Sequence, residues 1–179
     1  METIYVFKVA LKYRKGLWRR IEISKDQTLR EFDEIIRESF NYDLWDHLSM
    51  FFSGCAWKSE DFGQIEPGNQ GEDIKMQIDQ LGLSEGDKLE YVYDFGDDIK
   101  HVITLEKIKE SEIEDKTPYI IAKNRTRLKY CKQCKNVGKK IKAEWQCVEC
   151  IENTGEFIYL CDNCLEKDHE GHYTEEIIY

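Results

Sequence analysis

Residues 89–105 read LEYVYDFGDDIKHVITL. Two runs rich in Tyr, Val and Ile flank a polar centre, which marks two strands, 89–95 and 99–105. Gly96 and Asp97 lie between them, and Gly as the first central residue predicts a tight type II′ hairpin turn. Upstream, residues 5–13 (YVFKVALKY) alternate and place Tyr5, Phe7, Val9, Leu11 and Tyr13 on one face of a half-buried strand. Residues 18–24 (WRRIEIS) repeat the pattern after a Lys15-Gly16 turn. Thr28-x-x-Glu31 is a capping box. Leu29, Phe32, Ile35, Ile36 and Phe40 follow at helical spacing, predicting an amphipathic helix over 29–40. Residues 48–53 read as a third strand, and the Gly- and acid-rich stretch 54–87 as loop with a short helical turn. The implied fold is α+β: a mixed or antiparallel sheet packed on one main helix, β-grasp-like, followed by a small C-terminal two-zinc module. The expected division is 1–110 for the α+β domain, 111–128 for a charged connector and 129–179 for the metal module.

The chain has 179 residues and a formal net charge of −10. A mean field this negative repels phosphate and disfavours general nucleic-acid binding. No apolar run reaches the roughly 18 residues of a membrane span, and the first residues lack the pattern of a signal peptide. The expected location is the cytoplasm, with no membrane partner. Paired cysteines there point to metal rather than disulfides.

The C-terminal third carries the pattern C-x2-C-x12-C-x2-C-x10-C-x2-C-x4-H-x2-H, formed by Cys131, Cys134, Cys147, Cys150, Cys161, Cys164, His169 and His172. Eight ligands satisfy two tetrahedral zinc ions with no open position, which predicts structural rather than catalytic metal. A segment this short needs that binding energy to fold. Two groupings are open. An interleaved one joins Cys131, Cys134, Cys161 and Cys164, and separately Cys147, Cys150, His169 and His172. A sequential one leaves only four residues between Cys164 and His169, a cramped loop, so the interleaved grouping is favoured. The stretch 147–172 resembles the ZZ and related cross-brace zinc fingers, through Leu160-Cys161-Asp162-x-Cys164 and the trailing His-x2-His, although its x10 gap is longer than theirs. Cys55 stands apart and reads as a buried or bystander thiol.

Residues 123–142 hold nine basic side chains and no acidic one: Lys123, Arg125, Arg127, Lys129, Lys132, Lys135, Lys139, Lys140 and Lys142. With Tyr130 and Trp145 as stacking groups, this run is a candidate nucleic-acid contact. The alternative is a solvated basic segment balancing an acidic body.

The run Tyr91-Val92-Tyr93-Asp94-Phe95-Gly96-Asp97-Asp98-Ile99-Lys100-His101, followed by Ile103-x-Leu105-Glu106 and preceded by Trp18-Arg19-Arg20, is distinctive. It resembles the plasmid Ri ORF-three-like family, which also includes transposon passenger proteins labelled TnpR-like. The resemblance spans about residues 5–108. Ile99 stands where the family motif has tryptophan, and the zinc module replaces a Pro-rich acidic segment. The family implies an α+β fold and no established activity. Its motif residues here are Trp18, Arg19, Arg20, Asp94, Gly96, Asp97, Asp98 and His101. If the sheet brings the arginines near the hairpin, the carboxylates and imidazole can bind a cation or exchange protons. Otherwise they are turn-capping aspartates and a core histidine. No catalytic residue is assigned. The readings rank as a zinc-containing interaction or adaptor protein with a protein or peptide partner, then a nucleic-acid-binding accessory of a mobile element, then an enzyme using the Asp/His hairpin.

Overall fold

A computed structural model describes residues 2–68, 75–112, 118–125 and 127–179. The chain divides into two units, Met1–Asn124 and Arg125–Tyr179. In the first, the elements run β1 (Glu2–Leu11), β2 (Trp18–Ser24), α1 (Leu29–Phe40), β3 (Ser49–Phe52), β4 (Asp61–Ile65), a 3-10 turn at Ile78–Leu81, β5 (Lys88–Tyr93), β6 (Ile99–Ser111) and β7 (Tyr119–Lys123). The strands form one sheet in the order β4-β3-β5-β6-β1-β2-β7, antiparallel at every pairing. No described helix is long and apolar enough to cross a membrane.

Helix α1 begins where the sequence places it. Thr28 Oγ1 accepts from Glu31 N, while the Glu31 carboxylate accepts from Thr28 N at 2.6 Å, satisfying two donors that a helix start leaves free. Asn41 closes it in the left-handed region at φ 61°. The Phe32 ring packs against Phe7 of β1 and Phe51 of β3, with centroids 4.9 and 5.6 Å apart, and Phe51 meets Tyr91 of β5 at 4.7 Å. Dispersion among these close-packed rings, and their removal from water, hold the layers together.

Two charges lie inside this apolar contact. Asp33 and Arg37, one turn apart on α1, are both buried and joined by Arg37 Nε donating to Asp33 Oδ2 at 2.7 Å. Asp33 Oδ1 accepts from Ser49 Oγ and from the Tyr91 hydroxyl, each at 2.6 Å. Arg37 spends its other donors on the carbonyls of Asp43, Asp46 and His47 and on Ser49 Oγ. Every guanidinium N–H is thereby used, which offsets the cost of burying the pair and fixes the chain leaving α1.

Several elements differ from the sequence reading. Strand β4 lies within the stretch expected to be loop, and β7 within the expected connector 111–128. Both are sheet edges with mostly exposed or half-exposed side chains, so neither carries a clear alternation. Strand β6 continues to Ser111, pairing Lys107 to Ser111 with the first residues of β1 past a bulge opposite Val6 and Phe7. The turn between β5 and β6 is not the two-residue type II′ turn. It spans residues 94–98, and the left-handed conformations fall on Asp94 (φ 55°) and Asp98 (φ 51°) rather than on Gly96. Asp94 Oδ1 accepts from Gly96 N at 2.8 Å and Asp97 N at 3.3 Å, beside the backbone bond that Asp98 N donates to the Asp94 carbonyl at 2.7 Å, so one residue supplies both acceptors of the turn. A Cβ at Gly96 would sit 3.2 Å from Asp94 Oδ1, a tight contact that the carboxylate bonding the turn would have to yield to.

The second unit contains α2 (Lys132–Asn136), β8 (Trp145–Cys147), α3 (Val148–Thr154), β9 (Ile158–Leu160), α4 (Asp162–Asp168) and β10 (Thr174–Glu176). Its strands form a three-stranded antiparallel sheet, β10-β8-β9. The indole N–H of Trp145 donates to Asp162 Oδ1 at 2.7 Å and ties β8 to α4.

Candidate metal centre

Each C-x2-C pair is built alike. Cys131, Cys147 and Cys161 sit immediately before α2, α3 and α4, and Cys134, Cys150 and Cys164 lie in the first turn of the same helices. The turn brings both sulfurs of a pair to one side, where they can share an ion. The donors assemble in two sets in the interleaved order: Cys131, Cys134, Cys161 and Cys164, and Cys147, Cys150, His169 and His172, each set with its donor atoms within 4.8 Å of one another.

The spacings fit an ion. Four sulfurs about 2.3 Å from a tetrahedral centre lie about 3.8 Å apart. Cys134 Sγ is 3.8 Å from Cys161 Sγ and 3.7 Å from Cys164 Sγ. In the second set both histidines present Nδ1. Cys147 Sγ to His172 Nδ1 is 3.4 Å, Cys150 Sγ to His169 Nδ1 is 3.5 Å, and the two Nδ1 atoms are 3.4 Å apart. These are the shorter edges that nitrogen ligands require. The two sets can hold metal ions.

The thiols favour a cation. Burial opposes ionisation of Cys131, but backbone hydrogen bonds from Cys134 and Cys161, with side-chain hydrogen bonds from Cys164 and Cys134, together outweigh it and bring that thiol down to about 7. Burial and crowding by neighbouring sulfurs push Cys134 and Cys164 up. Without a cation the first set sustains few thiolates, and a divalent ion removes that repulsion.

The family-motif residues are dispersed. Trp18 lies beneath two cations, Lys8 and Arg20, and Arg20 Nε donates to Glu106 Oε2 at 2.5 Å. Arg19 points to the opposite side and is buried. Its Nε donates to the Ser39 carbonyl, its Nη1 donates to Asn124 Oδ1 at 2.8 Å, and its guanidinium stacks over Phe40. Only β1 lies between β2 and the hairpin strand β6: Arg19 and His101 touch the same Phe40 ring, whereas Arg20 pairs with Glu106, well along β6 from the turn. Asp94 pairs with His47 Nδ1 at 2.9 Å. Asp98 accepts from the Trp57 indole at 2.8 Å and pairs with Lys100, while Asp97 sits in the exposed turn. His101 is fully buried beside Phe40, Tyr91 and Tyr42, with Nε2 3.0 Å from the Tyr42 hydroxyl, and burial pushes it down to about 3, so it is neutral. The carboxylates and imidazole therefore do not converge on one space. A cleft of about 410 Å³ opens elsewhere, beside Arg19, Glu38 and Lys123. Of the two readings of Cys55, a buried or a bystander thiol, its exposure removes the first.

In the basic run, Lys123 ends β7, and Arg125, Arg127, Lys135 and Lys139 are exposed. The others have local partners. Lys129 lies over Tyr159, Lys140 over Tyr130 and Lys142 over Tyr179. Lys132 pairs with Glu156, and Lys142 also with Glu144. Of the two expected stacking groups, Tyr130 is covered by Lys140 and Trp145 is bonded to Asp162.

Sequence reasoning missed Asp33 and Arg37, charges within the buried face of α1, and Gln133, a spacer between two cysteines. Gln133 Nε2 lies 3.2 Å from His169 Nε2. The one available signal was the i, i+4 spacing of Asp33 and Arg37 within the apolar stripe of the helix.

The fold has a solved counterpart in a protein of unknown function from Methanosarcina mazei Go1, 23% identical, with a TM-score of 0.52 over 69% of this chain and 70% of that one. No curated protein matches the chain. The family model of plasmid pRiA4b ORF-3-like proteins matches residues 3–130, which span β1 to β7 and the hairpin motif. The chain belongs to the plasmid pRiA4b ORF-3-like family.

Proposed function

We propose that the protein is an interaction or adaptor protein whose C-terminal unit is held in shape by two structural zinc ions in a ZZ-like cross-brace. The observation that carries this reading is the pair of four-donor sets. Thiolate and imidazole donors at tetrahedral spacing favour zinc over hard cations such as magnesium and calcium. With four protein donors per ion no position is left for substrate, so the metal shapes a surface rather than performing chemistry. That surface carries apolar groups in water: Leu128, Val137, Ile141, Phe157 and Tyr173 are all exposed. Exposed apolar side chains on a small, metal-held unit suit a protein or peptide partner. The test is affinity capture from lysate with zinc-loaded and chelated protein. Partners lost on chelation support the reading; an identical set of partners in both samples contradicts it.

A second reading keeps the basic run as a nucleic-acid contact of a mobile-element accessory protein. Its support is the exposed Arg125, Arg127, Lys135 and Lys139. It requires a mobility shift at low salt that weakens steeply as salt rises, and no shift at low salt rejects it.

A further inference from the structure

Gln133 occupies an x position of the first C-x2-C pair, inside α2 and between two donors of the all-cysteine set. Its amide nevertheless reaches the other set, 3.2 Å from Nε2 of His169. His169 is buried and turns Nδ1 toward Cys150 and His172. A metal on Nδ1 needs that nitrogen unprotonated, so Nε2 carries the ring proton and acts as donor. Two nitrogens that both carry protons do not bond. A half-turn of the Gln133 amide replaces its N–H2 with Oε1, an atom that is buried with no partner among the described residues as the amide now stands. The glutamine oxygen then accepts the histidine proton.

We infer that Gln133 is a positioning residue for the Cys147, Cys150, His169 and His172 centre. It holds His169 in the Nδ1-ligating tautomer through an Nε2–H···Oε1 bond and joins that centre to the helix of the other. The inference rests on the two-metal reading above and extends it beyond the ligands themselves. Two features make the role specific. The bond crosses between the sets, from a residue flanked by Cys131 and Cys134 to a ligand of the second ion. It also acts on ring orientation and ligand basicity, quantities that outer partners of metal-bound histidines control. Loss of such a partner weakens metal binding by roughly 10- to 100-fold.

The experiment titrates the full-length metal-free chain with cobalt(II), whose absorption bands distinguish an all-thiolate site from a two-thiolate, two-imidazole site. Gln133→Leu removes the acceptor. Gln133→Asn keeps the amide but withdraws it by one methylene, and serves if the leucine chain does not fold. Gln133→Glu retains an acceptor. Wild type loads two ions with both signatures. The Leu and Asn variants lose roughly 10- to 100-fold in affinity at the mixed site while the all-thiolate site is unchanged, and the Glu variant keeps wild-type loading. In the zinc-loaded protein, the His169 Nε2–H resonance is protected in wild type and in the Glu variant and exchanges rapidly in the other two. Unchanged loading in the Leu and Asn variants, equal weakening of both sites, or failure of Glu to restore the mixed site overturns the role of Gln133. A wild-type chain that loads fewer than two ions overturns the two-metal reading itself.

Discussion

Cys134 Sγ lies 3.8 Å from Cys161 Sγ, although 27 positions separate them in the chain. This contact crosses over the second cysteine pair, because Cys147 and Cys150 lie between and belong to the other donor set. Cys161 is a donor of the all-cysteine set and of no other. Cys161→Ala is therefore expected to abolish the all-thiolate cobalt(II) bands and keep those of the two-thiolate, two-imidazole site. Cobalt titration of the variant checks this, and loss of the mixed-site bands with the all-thiolate bands retained contradicts the interleaved grouping.

Removal of metal is expected to affect the two units differently. The small unit, 125–179, has a three-stranded sheet of short strands and short helices, and ions held by its two donor sets would supply free energy that so small a core lacks. Chelation is expected to abolish protection of its amides in hydrogen exchange while β1, β5 and β6 stay protected. Equal loss of protection in both units contradicts this.

The Asp33–Arg37 pair makes a sharp stability prediction. Asp33→Ala leaves a fully buried guanidinium without its carboxylate, and removing one partner of a buried pair costs about 3–5 kcal/mol. Urea unfolding of the variant should show its midpoint shifted down accordingly. A change below about 1 kcal/mol, as for an exposed pair, contradicts the account.

His101 makes acid stability depend on one side chain. Burial lowers it from an ordinary 6.5 to about 3, so between those values the unfolded chain binds the proton and the folded chain does not. The stability is fully present above pH 6.5 and is lost as pH falls toward 3, by about 5 kcal/mol in all. His101→Phe keeps an aromatic ring against Phe40 and Tyr91 and removes that slope. The difference between the two chains separates this effect from the histidines of the small unit. Parallel pH profiles for wild type and variant contradict it.

The first unit was legible wherever one face of an element is buried. β1, β2, α1, β5 and the start of β6 repeat apolar residues at the period of their backbone, and Thr28 and Glu31 announce the helix, although β1 ends at Leu11 and leaves Tyr13, expected on its inner face, exposed. The edge strands β4 and β7 were not, because an edge with few buried side chains leaves no periodic trace. The turn departs from its expected form because Gly96 suggests a positive φ, whereas Asp94 and Asp98 adopt it and the Asp94 carboxylate bonds the loop. The two four-residue sets were legible from spacing, since four x2-spaced pairs of thiol and imidazole side chains match the coordination positions of two tetrahedral ions, and the structure groups them in the interleaved order. Their outer partner was not. Nothing in the sequence says that Gln133, flanked by two cysteines, reaches a histidine 36 positions away.

Native mass spectrometry of the freshly purified 179-residue chain, with elemental analysis of the same sample, counts and identifies the metal ions in one measurement. One dominant metal-bound species is expected, carrying two zinc ions per chain, one for each four-donor set. A chain that carries fewer than two zinc ions, or a metal other than zinc, contradicts the two-zinc reading.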